Sequence, residues 1–255
     1  MTDSNSTTAR AIVTGAGRGF GRGTAAALVA AGIHVIGVAR TAGTLAAAAE
    51  EDGFTAVQGD AADPEVAAEL IAEYKPDLVV LNAGVTPPMG LLDEQTWETF
   101  RQNWEVDTRQ AFEWSRAALR APLRPGSLVV SLSSGAALNG SPLSGGYASA
   151  KSAIRFIGSY AADVSARRSL GLRFITLLPQ LSPATELGTA GVAAYAKLQG
   201  IETSSFVSNL QPILTPNHVG TAIVDLYRST ETGPHAEYLI SGRGLRPIEE
   251  GATTR

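Results

Sequence analysis

Ala11-Ile12-Val13-Thr14-Gly15-Ala16-Gly17-Arg18-Gly19-Phe20-Gly21 runs from an apolar triplet through a glycine cluster into an alanine-rich segment that lasts to about residue 31. That order predicts a short buried strand, a tight turn and a helix. Glycine carries no side chain to block a close approach, so the N–H groups of such a turn and the N-terminus of the helix can face a pyrophosphate. The spacing is not Gly-x-Gly-x-x-Gly, because Phe20 stands three beyond Gly17; the glycines follow Gly15-x-x-x-Gly19-x-Gly21. An ordinary tight turn would fit the same residues, so the rest of the chain has to decide.

Outward from that turn, strand and helix patterns alternate. Apolar runs predict strands over 33–38, 55–58, 77–81, 127–132, 173–178 and 237–241. Between them, helices are predicted over 45–51, 64–73 with Asp63 as N-cap, 94–121, 146–166, and from Thr215-Pro216 to about 227. The run 77–81 is almost wholly apolar, as expected of a central parallel strand covered on both faces. Trp97 and Trp104 are seven apart on one face of the 94–121 helix, an aromatic stripe suited to packing against the sheet or a second subunit. After Pro179 the stretch to about Thr215 is small, apolar and proline-punctuated, with Glu186, Lys197 and Glu202 as its only charges. Such a stretch beside the strand ends reads as a lid over a substrate.

With 255 residues, 44% of them hydrophobic, the chain can fill one substantial core. A formal charge of −4 offers no basic patch for nucleic acid or an anionic membrane, which points to a small-molecule partner. The absence of cysteine excludes disulfides, thiol nucleophiles and thiolate metal sites. His34, His218 and His235 are too scattered for a local metal motif and are assigned structural roles, so no metal is expected. Residues 1–10 are polar with no apolar run after them long enough for a signal peptide or a membrane span, and the expectation is a soluble cytoplasmic protein.

The residues that carry chemistry sit at strand ends and on one helix. Ser133-Ser134 follows the 127–132 strand, where ligands bind in open α/β sheets. Tyr147 and Lys151 are four apart and share a face if 146–166 is helical. A nearby cation favours phenolate and brings a tyrosine down from about 10 toward the range where acid–base work is efficient. At the end of the 33–38 strand, where a dinucleotide ribose lands, the chain offers Ala39-Arg40 with no carboxylate until Glu50, and Arg18 stands nearby in the glycine turn. Two guanidiniums without an acid suit a 2′-phosphate. Asn82-Ala83-Gly84 ends the 77–81 strand with small residues that leave room for a ligand.

In their order and spacing, Thr14-Gly15-x-x-x-Gly19-x-Gly21, Asn82-Ala83-Gly84, Ser134 and Tyr147-x-x-x-Lys151 resemble the short-chain dehydrogenase/reductase family, over about residues 10–245. Ser134 precedes Tyr147 by thirteen residues, the family's usual separation, which selects it over Ser133. The resemblance implies an α/β fold: a single doubly wound (Rossmann) domain with a central parallel sheet of about seven strands flanked by helices. That domain would cover 10–246, with 180–215 as substrate-binding lid and flexible tails at 1–9 and 247–255. The implied activity is NADP(H)-dependent hydride transfer between nicotinamide and a carbonyl or secondary alcohol, with NAD the less favoured cofactor.

Site residues follow by position. Tyr147 would donate or accept the proton at the substrate oxygen, Ser134 would bind that oxygen, and Lys151 would tune the tyrosine and hold the nicotinamide ribose. Gly15, Gly17, Arg18, Gly19, Phe20 and Gly21 would bind cofactor at the turn, with Arg40 at the ribose and Asp60 and Ala61 near adenine. Asn82, Ala83 and Gly84 would lie along the cofactor, and Pro179 and Thr185 at the nicotinamide amide.

The chain departs from the family at three places. Asp107 stands where the fourth catalytic residue is usually asparagine; ionised aspartate only accepts hydrogen bonds, so a water relay there would be altered. Leu81 replaces a frequent asparagine, and Gln180 follows Pro179 where glycine is expected. The substrate would be a mostly apolar carbonyl or alcohol and the assembly a homodimer or homotetramer, without nucleic acid or membrane. A cofactor-binding sensor or scaffold, and an epimerase or dehydratase on the same fold, remain as alternatives.

Overall fold

In the computed structural model, which describes residues 8–229, 233 and 235–248, the glycine stretch forms strand β1 (Arg10–Thr14) and helix α1 (Gly19–Ala30). The alternation continues through β2 (His34–Ala39), α2 (Ala42–Asp52), β3 (Thr55–Gln58), α3 (Pro64–Tyr74) and β4 (Leu78–Leu81). The second half supplies β5 (Leu128–Leu132), β6 (Arg173–Pro179), β7 (His235–Ser241) and a short β8 (Gly244–Pro247). All join one sheet of order β3-β2-β1-β4-β5-β6-β7-β8, parallel except for β8, which pairs antiparallel with β7. The order reverses between β1 and β4, and that switch point opens a crevice at the carboxyl ends of the strands.

The fold is therefore the doubly wound α/β sheet expected, with eight strands instead of about seven. The added strand takes in Pro247, placed by the sequence reading in a tail; residues 1–7 and 249–255 of the expected tails lie outside the described residues.

Each central strand is buried on both faces, and alternate side chains go to opposite cores. Ala11, Val13, Leu78, Val80, Leu128 and Val130 join the core beneath α1 and α10 (Pro216–Arg228). Ile12, Val79, Leu81 and Val129 face the other core, with Ile71 of α3 and the fully buried Trp114.

The helix predicted over 94–121 is broken. A short 3₁₀ turn, Leu92–Glu94, precedes α4 (Trp97–Asn103), which Thr96 caps by accepting from the Thr99 N–H at 3.3 Å. A π-helical turn, Trp104–Thr108, then leads into α5 (Arg109–Arg120). A π turn widens the helix locally, as happens often at functional sites, and Asp107 lies in it. Trp97 and Trp104 do not pack on the sheet. Trp97 is 68% exposed and stacks on Phe100, while Trp104 is 41% exposed and donates from Nε1 to Ser149 Oγ at 3.0 Å.

The 4-residue α6 (Ala136–Asn139) and the long α7 (Gly145–Arg167) follow β5. Beyond β6, the proposed lid contains two helices, α8 (Glu186–Gln199) and α9 (Thr203–Ser208).

Candidate active site

β1 and β4 end side by side at the switch point, and Thr14 ties them together. Its hydroxyl accepts from the N–H groups of Asn82 (2.9 Å) and Ala83 (3.1 Å) and donates to Gln110 Oε1 (2.5 Å). Gln110, buried on α5, donates in turn from Nε2 to the Ala83 carbonyl at 2.8 Å. The Asn82 amide reaches the carbonyls of Thr14 (3.1 Å) and Gly15 (3.3 Å), so it shapes the turn rather than standing free for a ligand. Gly15 is left-handed (φ 68°), and a Cβ there would stand 2.7 Å from Asn82 Nδ2; the close approach requires glycine.

The turn opens onto a cleft of about 2400 Å³. Gly15, Gly17, Arg18, Gly19, Phe20, Arg40, Asp60, Ala61, Asn82, Ala83, Gly84 and Asp107 line it, and so do Ser134, Tyr147, Lys151, Pro179 and Thr185. Gly21 does not. It is buried where a Cβ would come 2.2 Å from the Gly15 carbonyl oxygen, so its part is to let α1 close on the turn. The volume exceeds the ~1000 Å³ of the larger drug-sized pockets, enough for a dinucleotide with a second molecule beside it. After β3, Asp60 Oδ1 accepts from the Ala62 N–H (2.9 Å) and Trp114 Nε1 donates to the Ala61 carbonyl (2.9 Å), fixing the loop where adenine was expected. A glycine turn open to the cleft and two arginines on its rim fit a phosphorylated dinucleotide.

α7 and the end of β5 bring Tyr147, Lys151 and Ser134 to the same cleft. Lys151 is 5% exposed; its ammonium donates to the Leu132 carbonyl (3.0 Å), pairs with Asp107 Oδ2 (3.2 Å) and lies 5.5 Å from the centre of the Tyr147 ring. Burial opposes the lysine charge, but Asp107 and Tyr147 outweigh it and hold the pKa above the ordinary value. Asp107, 1% exposed, also accepts from the Val85 N–H at 3.0 Å. A Cβ on Gly84 would come within 2.9 Å of Asp107 Oδ2, so that carboxylate needs a glycine opposite.

The two serines separate by role. Ser133 Oγ donates to the Lys151 carbonyl at 2.7 Å and anchors α7, whereas Ser134 is half-buried in the cleft, its Oγ accepting from the Ala136 N–H at 3.2 Å.

Just past β6, Gln180 N–H donates to the Ile240 carbonyl at 2.9 Å, so β6 keeps its pairing with β7 where a glycine was expected. Thr185 caps α8 by accepting from the Gly188 N–H (3.1 Å), and next to it Glu186 forms an ion pair with Arg18. Tyr195 on α8 stacks on Phe206 and hydrogen-bonds Ser141, which lies 2.6 Å from the Ser144 hydroxyl just before α7. Thr14 was visible in the sequence only as part of the glycine pattern. Gln110, Ser141, Ser144 and Tyr195 carry no local signal, because each acts through a partner remote in the chain.

Of the histidines, His34 contacts Thr55 Oγ1 at 3.2 Å, His218 belongs to the α10 cap, and His235, at the start of β7, lines the cleft. Among the described residues no three His, Cys, Asp or Glu are grouped to hold a metal ion, and no helix is long and apolar enough to cross a membrane.

Comparison with known proteins finds the short chain dehydrogenase family matching residues 9–186. The chain is 38% identical over 125 residues to an L-xylulose reductase of Mesocricetus auratus, covering 47% of this chain and 51% of that one. It is equally similar, 38% over 125 residues with the same coverage, to carbonyl reductase (NADPH) 2 of Sus scrofa. The chain thus spans about half the length of these curated relatives. Among solved structures, a short chain dehydrogenase/reductase family protein superposes with a TM-score of 0.76 at 24% identity, covering 92% of this chain and 96% of that one. A short chain dehydrogenase from Mycobacterium avium superposes with 0.75 at 21% identity, over 96% and 86% of the two chains.

Proposed function

Because the chain belongs to the short chain dehydrogenase family, we propose that it is an NADP(H)-dependent oxidoreductase that interconverts a carbonyl and a secondary alcohol, with Tyr147 giving or taking the proton at the substrate oxygen. The observation that carries this reading is the Lys151 ammonium, buried between the Leu132 carbonyl and Asp107 and facing the Tyr147 ring in the same cleft as Ser134.

When bound, the nicotinamide supplies or accepts the hydride at the substrate carbon. The protein's part is to place and discharge the proton. In the reducing direction the Tyr147 hydroxyl protonates the oxygen, and Lys151 stabilises the negative charge left on the phenol. Ser134 donates a hydrogen bond to the same oxygen. Asp107 acts through Lys151 and is a positioning residue.

Arg40 and Arg18 on the cleft rim would take a 2′-phosphate, a reading supported by the NADPH in the name of the similar pig reductase. Met89, Leu181, Leu187 and Phe206 give the substrate end an apolar wall, which favours a mostly apolar carbonyl compound. Exposed Trp97, Phe112, Phe156 and Tyr160 on α4, α5 and α7 support self-association into a homodimer or homotetramer.

A screen of ketones and secondary alcohols against NADPH/NADP and NADH/NAD, followed by nicotinamide absorbance, tests the reading. Tyr147→Phe should lose about 10²-fold or more in kcat; turnover that survives unchanged removes Tyr147 as the proton donor. Cofactor binding without turnover of any carbonyl would favour the sensor alternative.

A further inference from the structure

Arg18 and Arg40 are the two guanidiniums that the NADP reading assigns to the 2′-phosphate, yet they stand in different states. Among the described residues Arg40 has no carboxylate partner, whereas Arg18 is paired with Glu186. Resting on the NADP reading, we infer that Glu186 is a cofactor-selectivity residue: an internal anion that competes with the 2′-phosphate for Arg18, so that NADP(H) must displace or face a carboxylate that NAD(H) does not encounter.

Three features of the fold support the competition. Arg18 is the residue just before α1, and Glu186 is the first residue of α8, so the pair bridges the glycine turn and the start of the lid across the mouth of the cleft. The two segments are close beside the pair too: a Cβ on Gly19 would meet the Thr185 side chain, its Cγ2 at 3.7 Å, an ordinary contact. The pair is also exposed, with side chains 67% and 74% accessible, so Arg18 can leave it without stranding a buried charge. Glu186 keeps a favourable place after release, because a carboxylate in the first turn of a helix is stabilised by the N-terminal dipole. A guanidinium could grip both anions with its five donors, but carboxylate and phosphate would then repel each other, and affinity falls by either route.

Exposed pairs of this kind are worth up to about 1 kcal/mol, or about five-fold in a dissociation constant. Titrating NADPH and NADH into the full chain by tryptophan fluorescence measures that without turnover. Glu186→Gln should tighten NADPH by about five-fold and leave NADH unchanged. Glu186→Ala should do the same, and Arg18→Ala/Glu186→Gln should show no gain over Arg18→Ala. Unchanged NADPH affinity in both Glu186 variants overturns the inference, and so does an equal gain for NADH, which would trace the effect to the lid rather than to the phosphate. Failure of the NADP reading itself is seen separately, in Arg40→Ala: equal losses of NADPH and NADH affinity on removing Arg40 would end it whatever Glu186 does.

Discussion

Asp107→Asn removes one charge from a buried pair while leaving its shape. Asparagine can still accept from the Val85 N–H, and Lys151 keeps the Leu132 carbonyl; what disappears is the carboxylate 3.2 Å from the ammonium. Breaking a buried pair from one side costs about 3–5 kcal/mol, and the retained hydrogen bonds place this case near ~3 kcal/mol. In a domain of this size that lowers Tm by about 6–12 °C.

The loss is pH-dependent. For Lys151, burial lowers the pKa while Asp107 and Tyr147 raise it, leaving it above the ordinary 10.5. A lysine raised in the folded state contributes stability that is fully present below the unfolded pKa and lost as pH climbs through the folded one. Without Asp107, burial acts with less opposition and the ammonium is lost at lower pH. The Tm gap between wild type and variant is therefore widest near neutrality and narrows as pH climbs through the range in which first the variant and then the wild type loses the ammonium. The alkaline fall of kcat/KM should likewise begin at lower pH in the variant. Thermal melts at several pH values and pH–rate profiles check both; equal Tm at pH 7 with superimposable profiles would refute the charge pair.

Two further substitutions probe the frame around that centre. Thr14→Val leaves the Asn82 and Ala83 N–H groups without their acceptor. At about 1–3 kcal/mol for each buried group left unpaired, urea unfolding should show a loss of about 2–6 kcal/mol, with weaker cofactor binding, and a loss within error would remove Thr14 as the tie between β1 and β4. Tyr195→Phe keeps the ring on Phe206 but drops the hydrogen bond to Ser141, and steady-state kinetics should show KM raised by about 2–5-fold with kcat little changed. An unaltered KM would mean that this lid contact does not shape the substrate pocket.

What the sequence discloses about this molecule follows the range of the interactions involved. β4 is apolar throughout and β5 apolar but for Ser131 because both faces are covered, and Asp63 and Thr215 cap their helices through partners two and three residues on. Such features lie within one window of the chain. Tyr147 and Lys151 are found in the same way, since one helical turn brings them together. β8 is hidden because it is short and holds a glycine and a proline, and only its pairing with β7 makes it a strand. The π turn is hidden because tertiary contacts enforce it: Asp107 must reach Lys151 on α7, and Trp104 must reach Ser149.

Asp107 shows most clearly why position within a motif is an incomplete guide to role. Read along the chain it replaces an amide and suggests an altered water relay, whereas in three dimensions it touches the lysine directly. A carboxylate 1% exposed requires a cation or several donors, and the fold supplies Lys151 together with the Val85 N–H. It also demands space at Gly84, where any side chain would collide with it. Gly84, Asp107 and Lys151 therefore form one choice made at three places in the chain. A variant that places asparagine at 107 isolates the charge in that choice, because it keeps the shape opposite Gly84 while withdrawing the counter-charge from Lys151.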